Sequence, residues 1–107
     1  MKLWIDDFRP APEGYVWFKR VYDAKRYIKS CEVYARYGVP KIQCDCEIEL
    51  IDINYDAGDY GPPDYIALLD WLEETGRNYP IRIHSMNPVG VTNMRAIIER
   101  NGWKEIK

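Results

Sequence analysis

The chain has 107 residues, of which 47% are hydrophobic, 30% charged and 14% aromatic. That supplies one core and leaves too little chain for two, so a single domain over residues 1–107 is expected. The 15 Lys and Arg against 17 Asp and Glu leave a net charge of −2, which argues against a general binder of phosphate backbones and against duplex nucleic acid as partner. A small anionic ligand held by local donors stays open.

No apolar run reaches the length of a membrane span. The start, Met1-Lys2-Leu3-Trp4-Ile5-Asp6-Asp7, carries acids where a signal peptide is apolar, so the expected location is the cytoplasm, with no membrane partner. Cys31, Cys44 and Cys46 are an odd number and read as reduced thiols. Cys44-Asp45-Cys46 lacks the two-residue spacing of a zinc site.

Leu3-Trp4-Ile5 reads as a buried strand closed by Asp6-Asp7. Arg9 to Gly14 is a turn-forming loop, and Tyr15-Val16-Trp17-Phe18 a second strand, aromatic and β-branched. Ala24, Tyr27, Ile28, Cys31 and Ala35 recur at helical spacing, with Asp23 placed to cap the start and Gly38 to end it. Val39 to Glu47 reads as a loop with room for a short strand, and Ile48 to Ile53 as the third strand. Asn54 to Pro63 is too rich in turn residues for regular structure.

Tyr65, Leu68, Leu69 and Leu72 mark a second helix stopped by Gly76. Pro80 to His84 alternates as a fourth strand, followed by a loop from Ser85 to Gly90. Met94, Ile97 and Ile98 mark a third helix ending at Asn101-Gly102, capped by Thr92 or Asn93. Trp103 to Ile106 is an edge-strand candidate. Trp71, Tyr65 and Trp103 are assigned to packing. Strands alternating with helices make a parallel sheet covered by helices.

Such sheets bind ligands beyond the carboxyl ends of their strands, and the polar residues of interest gather there. Asp6, Asp7, Asp52 and His84 are therefore expected to line one crevice. Carboxylates that converge need a cation, or raised pKa values, to coexist, and Mg²⁺ or Mn²⁺ with oxygen ligands from Asp6, Asp7, Asp52 and Asp56 answers that need. Asp52-x-Asn54-x-Asp56 is not a calcium loop, because Ala57 stands at the glycine position and Pro63 at the bidentate glutamate.

Free imidazole titrates near neutral pH, so His84, the single histidine, is a candidate general acid or base. Ser85 offers a hydroxyl to a phosphate oxygen. Gly90 and Asn93, at the opening of the third helix, present free N–H groups to an anion. Arg9 either neutralises a substrate phosphate or pairs with Asp7.

Asp6-Asp7 closing one strand and Asp52 closing another resemble the acidic pocket of response-regulator receiver domains. The chain resembles more closely the receiver-like family described as cyclic-phosphate-processing receiver domains. The resemblance rests on Leu3-Trp4-Ile5-Asp6-Asp7, on Asp52-Ile53-Asn54-Tyr55-Asp56-Ala57-Gly58, and on His84-Ser85-Met86-Asn87-Pro88-Val89-Gly90 with Asn93-Met94. It implies an α/β, three-layer domain with a short, mostly parallel, receiver-like (flavodoxin-like) sheet. It also implies recognition or processing of cyclic phosphates of nucleotides or RNA ends by a metal-dependent phosphodiesterase.

On that reading His84, Ser85 and Asp52 are catalytic, and Arg9, Asn54, Asn87, Gly90 and Asn93 bind ligand. The alternative is a degenerate receiver that only binds a ligand or protein. The family's central loop usually reads Asp-His-Asp. Here either Asp52 and Asn54 or Asn54 and Asp56 stand for its two aspartates, so one carboxylate has become an amide. Lys104 is the nearest counterpart of the receiver lysine.

Overall fold

The computed structural model describes residues 1–36, with side chains to residue 33, and residues 47–107. Gly38, Cys44, Cys46 and most of the expected 39–47 loop lie outside the described residues. In chain order the elements are β1 (Lys2–Ile5), β2 (Tyr15–Phe18), α1 (Val21–Arg36), β3 (Leu50–Ile53), a single 3₁₀ turn (Gly58–Tyr60), α2 (Ile66–Glu74), β4 (Ile81–Ile83) and α3 (Pro88–Asn101). The sheet is wholly parallel, in the order β2-β1-β3-β4. The expected α/β domain with its receiver-like sheet is what the chain forms.

Topology explains where the helices lie. The chain steps from β2 to β3, from β3 to β4, and from β4 to a parallel bridge between Ile81 and Glu105, always in one direction across the sheet. Right-handed crossovers then put every intervening helix on one face. The step from β1 to β2 runs the other way and is made by a loop. Accordingly α1, α2 and α3 share one core with the sheet, in which Leu3, Ile5, Ile51, Ile53 and Ile81 have no exposed surface. Of the three layers expected, the described residues build two.

Strand alternation puts the neighbours of these residues on the other face: Lys2, Trp4, Leu50, Asp52 and Arg82. The active-site candidates follow that parity.

Local details depart from expectation in three places. Asp23 sits inside the first turn of α1, where it complements the helix dipole, not at its cap. Helix α3 begins earlier than expected. Asn87, not Thr92 or Asn93, caps it, accepting from the Gly90 N–H at 3.0 Å, and Pro88 fills the first turn. The tail after Gly102 (φ +68°) makes one bridge to β4, less than a strand. Tyr65 and Trp103 are buried in the core, and Cys31 is a buried free thiol whose pKa burial raises. No described helix is long and apolar enough to cross a membrane.

Candidate functional site

Three strands end side by side and deliver three side chains to one point. Asp6 follows β1, Asp52 sits near the end of β3 and His84 follows β4. Asp6 and Asp52 have no exposed surface. Between them stands the imidazole, with Nδ1 2.6 Å from Asp52 Oδ1 and Nε2 2.8 Å from Asp6 Oδ2. Each ring nitrogen lies within hydrogen-bond distance of a carboxylate, and a nitrogen that carries its proton donates to the carboxylate it faces.

The ring is fixed from below by Trp4, stacked on it at 3.8 Å between centroids and 3° between planes. Trp4 in turn donates its indole N–H to the Arg9 carbonyl at 2.8 Å, and Trp17 donates to the Asp6 carbonyl at 2.7 Å. Two indoles on the helix-free face thus hold the 6–9 turn.

Asp6 is the better-supported carboxylate. Its Oδ1 accepts the backbone N–H groups of Phe8 at 2.8 Å and Arg9 at 2.9 Å. Burial alone would raise its pKa, but those two donors and His84 outweigh it and hold the carboxyl below the usual range. Among the described residues Asp52 has, besides His84, Arg82 as its side-chain partner, with Nη1 3.4 Å from Oδ2. Arg9 completes the rim, with Nε 3.8 Å from Asp6 Oδ2 and Nη1 donating to the His84 carbonyl at 3.0 Å. It pairs with Asp6, not with Asp7. The Arg9 and Arg82 side chains are 44% and 48% exposed, so two guanidiniums face solvent at the mouth of a buried Asp–His–Asp triad.

The other expected site residues do not join it. Asp7 follows Asp6 and so points the opposite way, its carboxylate lying against Gly58. Asp56 is exposed. Asn54 is buried and shapes the loop, its amide donating to the Asp56 carbonyl at 3.2 Å and its Oδ1 accepting the Tyr55 N–H at 2.8 Å. Ser85 Oγ accepts the Asn87 N–H at 3.1 Å, which turns the chain into α3. Gly90 is buried against the Tyr55 ring, and Asn93 and Lys104 are exposed.

The expected four-carboxylate metal pocket therefore does not fit this arrangement. Asp6 and Asp52 lie at opposite ends of the imidazole, and an ion shared by them would have to replace it. Among the described residues no group of three or more His, Cys, Asp or Glu is arranged to hold a metal ion.

The model of the family described as cyclic-phosphate processing receiver domain matches residues 1–100. The chain belongs to that family. No curated protein and no solved structure matches it. In this cyclic-phosphate processing receiver domain the residue of the 52–56 segment that meets the histidine is Asp52, and Asn54 serves the loop.

Sequence reasoning missed Arg82 and the role of Trp4. Strand parity was the available signal: Arg82 and His84 share a face, as do Trp4 and Asp6, and Asp52 pairs in register with both Trp4 and Arg82.

Proposed function

We propose that this domain binds the monoanionic cyclic phosphodiester of a 2′,3′-cyclic nucleotide or RNA end between Arg9 and Arg82 and opens it by proton transfer through Asp6–His84–Asp52. The observation that carries this reading is the clamped imidazole beside two half-exposed guanidiniums. A water oxygen forms the new bond to phosphorus while the bond to one ribose oxygen breaks. The imidazole takes the water proton and returns a proton to the departing ribose oxygen, which leaves a phosphomonoester. The buried carboxylates orient the ring and stabilise its charged form, as an aspartate does for a histidine in hydrolytic triads. Arg9 and Arg82 offset charge that builds on the phosphate oxygens.

One observation favours a second reading, a module that binds the phosphate without turning it over. Both ring nitrogens are already occupied by protein carboxylates, so a substrate must displace one of them before His84 can act.

The test is phosphorus NMR of 2′,3′-cyclic AMP incubated with the protein, in EDTA and separately with Mg²⁺ or Mn²⁺. Turnover in EDTA that falls about 10²–10⁴-fold in His84→Gln supports the enzyme. Turnover only with added ion would restore a metal role and refute the metal-free relay. Binding without turnover, weakened by Arg9→Gln and by Arg82→Gln, selects the second reading. Neither binding nor turnover rejects both.

A further inference from the structure

The near-neutral total charge hides a segregated one. Between residues 19 and 29 stand Lys19, Arg20, Lys25, Arg26 and Lys29 against a single acid, Asp23. On α1 the side chains of Tyr22, Lys25, Arg26 and Lys29 recur at three- and four-residue spacing, which places them on one helix face. Tyr22, Arg26 and Lys29 are exposed and Lys25 is half-buried. The opposite face, with Ala24, Ile28 and Cys31, is in the core. The nearest acid on the following turn, Glu32, is held by Arg77 and Tyr79.

Each of these cations lies over an aromatic ring. Lys19 Nζ is 4.7 Å from the Trp17 ring centroid and 5.6 Å from that of Tyr60, and the Arg20 guanidinium is 5.9 Å from Tyr60. Arg26 lies over Tyr22 at 5.7 Å, and Lys25 and Lys29 lie over Trp71 at 5.7 and 5.8 Å. Tyr22 is 66% exposed. Cations interleaved with aromatic rings, of which Tyr22 and Tyr60 are exposed, suit a single-stranded nucleic acid, whose phosphates meet the cations and whose unpaired bases stack on the open rings.

The stripe also begins one strand away from Asp6. Phe18 pairs with Ile5 across β2 and β1, so Lys19 comes level with Asp6 on the neighbouring strand. The Trp17 indole bonds the Asp6 carbonyl directly. From that edge the stripe continues through Arg20 into α1. An RNA strand whose cyclic phosphate sits at Arg9 and His84 would reach this surface by passing round the carboxyl end of β2 to the helical face.

We infer that the Lys19–Lys29 stripe is a track for single-stranded RNA, and that the ligand of the triad is the 2′,3′-cyclic phosphate end of an RNA strand in preference to a free mononucleotide. This rests on the proposed function for the identity of the end group, whereas the track itself rests on the charge and ring pattern. Asp59, close to Tyr60, Arg20 and Tyr22 in a shallow cavity, is the acid on its rim. It marks where a phosphate would be disfavoured and a base preferred.

The test compares an eight-nucleotide RNA ending in a 2′,3′-cyclic phosphate with 2′,3′-cyclic AMP, measuring affinity as a function of salt. Three phosphate contacts predict a slope of about −2 in log affinity against log salt for the oligomer. Lys25→Glu with Arg26→Glu and Lys29→Glu should remove most of that slope and lower oligomer affinity at least tenfold at low salt, while turnover of the mononucleotide stays unchanged. An oligomer bound no tighter than the mononucleotide overturns the track, as does a triple variant that binds it normally. Turnover of 2′,3′-cyclic AMP reads the triad separately, so its absence beside a salt-sensitive oligomer would remove the end-group assignment and keep the track. Equal weakening by an acidic peptide and by RNA of matched charge would overturn the assignment to RNA, because bases must add affinity beyond charge.

Discussion

Replacing His84 with Ala should destabilise the fold more than any exposed substitution, because two fully buried carboxylates lose a partner at once. The two losses are unequal. Asp6 keeps the Phe8 and Arg9 N–H groups, whereas Asp52 keeps only the half-exposed Arg82 at 3.4 Å. A hydrogen bond to a charged group is worth about 1.5–3 kcal/mol, and removing one member of a buried pair costs about 3–5 kcal/mol through the charge left behind. The imidazole also leaves a gap over the Trp4 ring. Together these predict a loss of about 3–5 kcal/mol at pH 7, carried mostly by Asp52. Urea unfolding followed by tryptophan fluorescence measures it, with an unchanged m-value as the check on the denatured state. On an Asp52→Asn background the same His84→Ala change should cost about 2 kcal/mol less, since no carboxylate is then stranded. A loss under about 1 kcal/mol, or strict additivity of the two changes, would show that the triad does not hold the charges as described.

Two further outcomes follow from the same geometry. Asp6 has a folded pKa below its unfolded value, so its contribution to stability is present above about pH 4 and is lost as pH falls through the lower folded value. Asp6→Asn should flatten that acid limb in a pH series of unfolding midpoints, and an unaltered limb would refute the assignment. Asn54→Asp restores the family carboxylate but places an oxygen where the amide donates to the Asp56 carbonyl. It should cost about 1–3 kcal/mol in the same urea assay, and a neutral or stabilising effect would show that the amide is not needed for the loop.

The amino-acid sequence by itself determined the alternation of strand and helix, the parallel sheet, and the convergence of Asp6, Asp52 and His84 at its carboxyl edge. These follow from local periodicity and from one topological rule, both of which act along the chain. It also carried the family, through motifs spread over residues 1–100. What it left undecided was which of two adjacent aspartates faces the histidine. Pleating turns Asp6 toward Trp4 and Asp7 toward Gly58, a matter of register that composition does not show.

The number of layers was likewise a property of connection order, because the one backward step lacks a helix. The expected metal cluster is not assembled among the described residues, for a related reason. Counting carboxylates at strand ends assumes they meet one another, and only the tertiary arrangement puts an imidazole between them. The third helix began at Asn87 because the side chain that reaches the free Gly90 N–H is selected by the turn out of β4, where Ser85 first fixes the Asn87 backbone. Net charge, finally, is a sum over the chain. The gathering of Lys25, Arg26 and Lys29 on one surface is decided by the helix face that the core leaves exposed, and Lys19 and Arg20 stand in the turn that leads into it.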